Sequence, residues 1–344
     1  MAFKGWDKIR IQTAQGSVAA VAPVIISASR STDIPAFYSD WFMRRWREGY
    51  VRWTNPFNQK DQYISFAKAR VAVFWTKNPR PMLRYVPVLD DLGINYYFTF
   101  TVNDYEQEGL EPNVPKLAER IDTFRQLSEA LGKARVIWRY DPLLLTKQLT
   151  VDRLLEKVAQ VGETLHDYTE KLVFSFADVA VYDKVKRNLA AKGFGDAREF
   201  SPEEMAAFAQ GLAAMNRDWG LTLATCGEEV DLSAYGVIHN KCIDDELMIR
   251  LFFHDKALMD FLGYKEPELN LFSGLTPADA GPRLDLKDKG QRRACGCIVS
   301  KDIGQYNTCM HLCAYCYANT SEKVVRANCV MRRSYSGEAI LGKK

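Results

Sequence analysis

The sequence predicts an α/β fold, a full or partial (β/α) barrel of the TIM type, followed by a cysteine-rich C-terminal segment. Three observations carry this expectation. Near-continuous apolar runs rich in β-branched and aromatic residues recur along the chain, each followed by a helical pattern. Strands buried on both faces read this way when helices cover a parallel sheet. About six or seven such units suit a barrel better than an open nucleotide-binding sheet, for no Gly-x-Gly-x-x-Gly and no Walker loop is present.

The elements follow in order. Residues 1–22 form a lead-in, where Ile9 and Ile11 alternate with polar residues and Val18 to Val21 follow Gly16, as in a hairpin or a barrel-bottom plug. Val24–Ser29 is the first barrel strand, and Ser39–Glu48 its helix, with Trp41, Phe42, Arg45 and Trp46 on one face. Val71–Trp75 and Asn95–Phe100 are the second and third strands, and a helix runs over 114–131. Arg135–Arg139 is the fourth strand, with a helix over 151–161. Lys171–Phe176 is the fifth, with helices near 181–191 and 202–218. Leu221–Thr225 is the sixth, Val237–Ile238 a short further strand, and 245–261 a helix. Residues 263–294, rich in Pro, Gly and charge, read as a crossing segment.

At 344 residues the chain exceeds the usual ~100–200 per domain, yet a barrel over 1–285 with an appendage over 286–344 accommodates it. Its 47% hydrophobic residues supply a large core, and a net charge of +3 gives no bulk attraction to nucleic acid or membrane. Met1 to Trp6 lead into charged residues rather than a secretory apolar run, and no stretch reaches the ~18 apolar residues of a membrane span. A cytoplasmic chain is expected, in which clustered cysteines serve metal or redox chemistry rather than disulfides.

The densest chemistry lies in Cys309-Met310-His311-Leu312-Cys313-Ala314-Tyr315-Cys316. Three thiolates from one C-x3-C-x2-C loop can hold three irons of a four-iron cluster and leave the fourth iron open to a small molecule. His311, inside the loop, would donate a hydrogen bond to a sulfide or face solvent.

This spacing, with an aromatic residue before the third cysteine, resembles the signature of the radical SAM superfamily. The resemblance implies a [4Fe-4S] cluster on Cys309, Cys313 and Cys316, with Tyr315 packed beside it. It implies that S-adenosylmethionine binds the open iron and is cleaved to methionine and a 5′-deoxyadenosyl radical, which abstracts hydrogen from a substrate. In most of that superfamily the loop follows the first strand; here it follows every candidate strand. The wider run from Cys295-Gly296-Cys297 through Ser300 to Gly304, Tyr306 and Cys316-Tyr317-Ala318 also resembles the bacterial domain of unknown function 1848 family. These likenesses imply a cofactor class and not a substrate. They imply an iron–sulfur segment folded over the barrel mouth, a reductant such as flavodoxin or ferredoxin, and a small-molecule or peptide substrate.

In barrels, chemistry gathers at the C-terminal strand ends. Arg30, Ser31, Thr32 and Asp33 follow the first strand, Thr76, Lys77 and Asn78 the second, and Thr101, Asn103 and Asp104 the third. Arg139, Tyr140 and Asp141 end the fourth, Ser175 and Asp178 the fifth, Cys226 and Glu228 the sixth. Arg139 or Lys77 could pair with the carboxylate of S-adenosylmethionine, Arg bidentately. Asp141 or Asn103 could take its ribose hydroxyls or amino group, and Arg30 and Thr76 complete the candidate ring. Such residues equally cap the helices that follow.

Cys226, Cys242, Cys295 and Cys297 could hold a second iron–sulfur cluster or a tetrahedral zinc, although a lone Cys226 or Cys242 reads as an ordinary buried residue. The absence of H-E-x-x-H and G-x-S-x-G speaks against zinc-peptidase and serine-hydrolase chemistry. The run Arg44-Arg45-Trp46-Arg47, with Arg52-Trp53, leaves nucleic acid open as a partner, though a helix with Trp46 buried and its arginines exposed explains the run on charge balance. The alternative function is a barrel that binds a ligand or partner and carries a structural zinc or iron–sulfur module.

Overall fold

The structure, a computed structural model, describes residues 3–265, 285–333 and 337–341. It is a mixed α/β fold built on a parallel sheet of eight strands. The lead-in forms an antiparallel hairpin, β1 (Asp7–Thr13) and β2 (Gly16–Ala22), turned at Gly16 with φ 98°. Then come β3 (Ile25–Ala28), α1 (Ile34–Phe37) and α2 (Ser39–Glu48), which stops at left-handed Gly49. Next are β4 (Tyr50–Thr54), β5 (Asp61–Ser65), β6 (Val71–Thr76), α3 (Arg80–Leu83), α4 (Val86–Asp91) and β7 (Asn95–Thr101). The middle holds α5 (Leu117–Leu131), β8 (Val136–Leu143), α6 (Val151–Leu165), β9 (Lys171–Phe176), α7 (Asp183–Ala191) and α8 (Pro202–Trp219). The chain then runs through β10 (Thr222–Thr225), β11 (Val237–His239), α9 (Asp245–Phe252), α10 (Lys256–Leu262), β12 (Lys301–Asp302) and α11 (Glu322–Arg333).

The large sheet has the order β11-β10-β9-β8-β7-β6-β3-β12, every neighbour parallel. Within this sheet spatial order follows chain order from β3 to β11, as consecutive strands tend to lie side by side. Residue alternation sorts the strands into two faces. Ile26, Ala72, Phe74, Tyr96, Phe98, Trp138, Leu172 and Phe174 pack with the helices. Ile25, Val71, Val73, Tyr97, Ile137, Val173 and Ala224 gather instead with α9, α10 and Val299. The helix face holds the largest side chains; fully burying each contributes roughly 1.5–3 kcal/mol.

Helix ends follow their local chemistry. Ser201 and Glu204 form a capping box at the start of α8, Pro202 takes its first turn, and Gly220 closes it in the left-handed region. The predicted helix 245–261 is two, because Asp255 caps α10 by accepting from Leu258 N and also pairs with Arg70. The tail is part of the sheet: β12 pairs with β3, Lys301 opposite Ile26. The predicted crossing segment 263–294 falls largely outside the described residues.

Strands β4 and β5, for which the sequence pattern offered no element, join the hairpin in a second sheet, order β1-β2-β5-β4. Arg45, placed by spacing on the face of Trp41, Phe42 and Trp46 but by charge balance among the exposed arginines, follows the spacing: it is 3% exposed, paired with Glu48 and 5.3 Å from the Tyr50 ring. Trp46 is half-buried, stacked on Phe66 at 4.6 Å. The β4 strand turns Arg45 inward by placing Tyr50 against it.

Candidate functional site

The C-terminal strand ends and the cysteine loop meet. Alternation along β7, β8 and β9 puts Thr99, Thr101, Asn103, Arg139, Asp141 and Ser175 on the same face as Tyr97, Ile137 and Val173, so that face is apolar below and polar above. Asn103 Nδ2 donates to Glu111 Oε1 at 3.0 Å, to Asp141 O at 3.1 Å and to Tyr315 Oη at 3.2 Å, while its Oδ1 accepts from Asp141 N at 2.8 Å. Tyr315 donates to Glu111, and Lys77 Nζ lies 2.8 Å from the same carboxylate and 5.5 Å from the Tyr315 ring centroid. Burial alone would raise the Glu111 carboxyl, but Lys77 and then Arg120 outweigh it and hold it low. Asp141 is likewise held low, Arg139 overcoming burial, with Ser175 donating to it.

The loop itself curls through Leu312, a buried residue at φ 55°, which a side chain adopts only when its surroundings fix it. Cys316 N donates to Cys313 O, and Asn319 Nδ2 to Cys309 O. Asn188 of α7 donates to Asn319 O and Cys316 O, and Lys192 donates to Leu312 O. Burial pushes the Cys309 thiol well up, with Asp33, Cys316 and Cys313 adding to it. Burial pushes Cys313 up to about 12, against the pull of Lys77 and Lys192. Cys316 is raised by burial against nearby N–H groups, Lys184 and Lys77.

His311 neither faces a sulfur nor faces solvent. It is 2% exposed, its Nε2 2.9 Å from Asp33 Oδ2 and its Nδ1 3.3 Å from Asn113 O. Asp33 also accepts from Ala36 N, Thr76 Oγ1 and Lys77 N, which makes it the peg between β3, β6 and the loop. Thr76 is therefore engaged in the cap of α1, on the helix side of β6.

Arg30 and Arg139 stand elsewhere. Both guanidinium groups face Trp75, at 5.0 Å and 5.4 Å, beside the other cysteines. Arg139 Nη1 donates to Cys242 Sγ at 2.9 Å and pairs with Asp141; the Arg30 guanidinium lies against Cys297, whose charge helps raise it against burial. Cys226 Sγ and Cys242 Sγ are 3.4 Å apart, and Cys242 N and Ile243 N donate to Cys297 Sγ at 3.2 Å and 3.4 Å. Among the described residues no three His, Cys, Asp or Glu side chains stand ready around a single metal ion.

Sequence reasoning missed Glu111, Lys184, Lys192, Asn188 and the anchoring role of Asp302. Asp302 Oδ1 accepts from Ser29, Ser31 and Gly304 N, and its Oδ2 from Ser27 and Arg30 N. Glu111 lies in a loop after β7, where no periodicity marks a buried carboxylate. The lysines are ordinary surface residues of a helical pattern until the tail packs on them.

The fold and this loop define a class: a parallel α/β protein whose cysteine-rich tail is seated at the strand ends. The chain belongs to the family described as Domain of unknown function (DUF1848), whose model matches residues 25–318. No curated protein matches it. Among solved structures it is similar to a candidate alpha-L-fucosidase from Bacteroides thetaiotaomicron, at 12% identity over 58% of this chain and 73% of that one, TM-score 0.26. Among the described residues no helix is long and apolar enough to cross a membrane.

Proposed function

We propose that the chain is a radical SAM-like enzyme whose C-terminal loop holds a [4Fe-4S] cluster through Cys309, Cys313 and Cys316. The observation that carries this reading is the seating of the C-x3-C-x2-C loop on the polar C-terminal ends of parallel strands. The residues fit such a group: the thiols bear electrostatically on one another, and Lys77, Lys184 and Lys192 lie about them, as suits an anionic centre. When bound, the cluster would supply the electron that cleaves S-adenosylmethionine to a 5′-deoxyadenosyl radical. The chain's own residues do the rest. Tyr315 walls the loop on one side, locked by Glu111 and Asn103. Lys77 offers a cation for a carboxylate, and Asp141 and Asn103 offer acceptors and donors for hydroxyl or amino groups. Arg30, Arg139 and Thr76, engaged as described, contribute by holding the walls.

The same reading takes the sheet as a partial (β/α) barrel. Most helices pack on one face, while the side chains of the other face gather with α9 and α10, as in a sheet curling on itself. Ile298 N donates to Ile243 O, which links the segment after β11 to the one before β12. The substrate would be a small molecule or peptide, with nucleic acid kept as a further class, and the reductant a flavodoxin or ferredoxin.

The test is anaerobic reconstitution with iron and sulfide, reduction, and addition of S-adenosylmethionine. Formation of 5′-deoxyadenosine and methionine, abolished in Cys316→Ala, is expected. No product, or equal product from the variant, overturns it. The alternative, a ligand- or partner-binding barrel with a structural zinc or iron–sulfur module, draws on the tail's role as sheet strand β12. Reconstituted protein with metal but no cleavage would favour it.

A further inference from the structure

We propose that Cys226, Cys242, Cys295 and Cys297 bind one zinc-class ion as four thiolates, separately from the tail loop, and that this ion staples the last strands of the sheet together. The proposal does not rest on the reading of Cys309, Cys313 and Cys316. The four residues come from three chain segments that topology brings to one place: the end of β10, the turn after β11, and the approach to β12. Their sulfurs run as a chain, Cys226 against Cys242, Cys242 against Cys297 and Cys297 against Cys295.

The Cys226–Cys242 pair suits a single ion, which would have to gather the other two sulfurs, since no three of these side chains yet stand around one point. With Zn–S near 2.3 Å, the edge of a thiolate tetrahedron is about 3.8 Å. The Cys226–Cys242 separation of 3.4 Å is close to that edge, and is well beyond the ~2.05 Å of a disulfide. A four-iron cluster would hold its ligand sulfurs farther apart, each on its own iron. Ion binding would draw the sulfur chain into a closed tetrahedron, with the thiol protons released to solvent.

The surroundings suit thiolate sulfur. Cys297 Sγ accepts two backbone N–H bonds, and Cys242 Sγ accepts from Arg139 Nη1 at 2.9 Å and Asn240 Nδ2 at 3.0 Å. Hydrogen bonds to ligand sulfurs are the usual outer support of a thiolate site. Four thiolates around a divalent ion leave two negative charges, and two guanidinium groups, Arg30 and Arg139, lie against them. Arg30 Nη2 and Trp75 Nε1 are buried there without a protein acceptor. The mechanical role follows from the chain: Ile298 N to Ile243 O is a backbone bond between these segments, and an ion holding Cys242 and Cys297 would fix it.

The experiment uses the full chain with Cys309, Cys313 and Cys316 all changed to Ala, so that the tail loop binds nothing. After anaerobic purification, elemental analysis should find about one zinc per chain with no visible chromophore, and cobalt exchange should give the intense bands of a tetrahedral thiolate site. Cys297→Ser in that background should lose most of the metal. Should that variant not fold, native-state alkylation replaces it: four thiols should become reactive only after chelation. Absence of metal, a Cys226–Cys242 disulfide in peptide mapping, or an iron–sulfur chromophore in the tail-altered chain each overturns the proposal. Failure of S-adenosylmethionine cleavage in the unaltered chain leaves these outcomes unchanged, so the two readings fail independently.

Discussion

Gly304→Ala tests how the tail is held to the sheet. A Cβ at this position would overlap Ser29 Oγ and stand 2.6 Å from both Ser29 Cβ and Ser31 Oγ. Those are backbone-near atoms of a short loop, so they cannot swing aside as the end of a long side chain does. Ser29 donates to Asp302 Oδ1 at 2.7 Å and Ser31 at 3.2 Å, and Gly304 N completes that oxygen's shell at 2.9 Å. Overpacking of a tight site costs about 1–3 kcal/mol. Displacing one hydrogen bond to a charged acceptor adds about 1.5–3 kcal/mol. The variant should thus be destabilised by roughly 3–5 kcal/mol, the sum of those two ranges kept below their extremes. The assay is urea denaturation of the anaerobic protein with a double-mutant cycle. Ser29→Gly removes both the hydroxyl and the Cβ that clash, so Gly304→Ala in that background should cost at least about 1 kcal/mol less than alone. A cost under about 1 kcal/mol for the single variant, or strict additivity in the cycle, refutes the reasoning.

Two further outcomes are expected. Lys301, which burial lowers to about 8, has its ammonium 3.5 Å from the Trp53 ring centroid. The unfolded lysine titrates near 10.4, so the unfolded chain binds the extra proton between the two values, and stability should rise with pH across that window. The gain is about 2–3 kcal/mol once the ring's attraction for the cation is discounted. Lys301→Met should flatten that rise relative to the unaltered chain in denaturation curves from pH 7 to 10.5, and equal slopes for both would refute it. Glu111→Ala leaves Lys77 unpaired and removes the charge beside Arg120, both in a buried setting. It should destabilise by about 3–5 kcal/mol, whereas Glu111→Gln, which keeps an acceptor for Tyr315, should cost less by calorimetry.

How far the chain could be read from residues alone differs from element to element. The helix Ser39–Glu48 and the strand Lys171–Phe176 lie where periodicity put them, because an apolar stripe or an unbroken apolar run has one stable burial. Strands β4 and β5 set polar Arg52, Asp61 and Gln62 beside Trp53 and Tyr63, and these polar residues mask the strand period. Lys77, Asn103, Asp141 and Tyr315 were visible as polar strand ends and an aromatic in a cysteine loop. Glu111, which joins Lys77, Asn103 and Tyr315, was not, since nothing local distinguishes it from a surface carboxylate.

By itself the sequence determined the alternation of strands and helices, the C-x3-C-x2-C loop, and the likeness of the wider cysteine run to the domain of unknown function 1848 family. Those are local properties, set by side-chain period and by spacing within a few residues. Tertiary structure alone decided that Asp302 anchors the tail through Ser27, Ser29 and Ser31, that His311 meets Asp33, and that Cys226, Cys242, Cys295 and Cys297 come together. Apart from Cys295 and Cys297, these partners lie from 16 to 278 residues apart, and no local preference encodes a meeting that only the stacking order of parallel strands brings about.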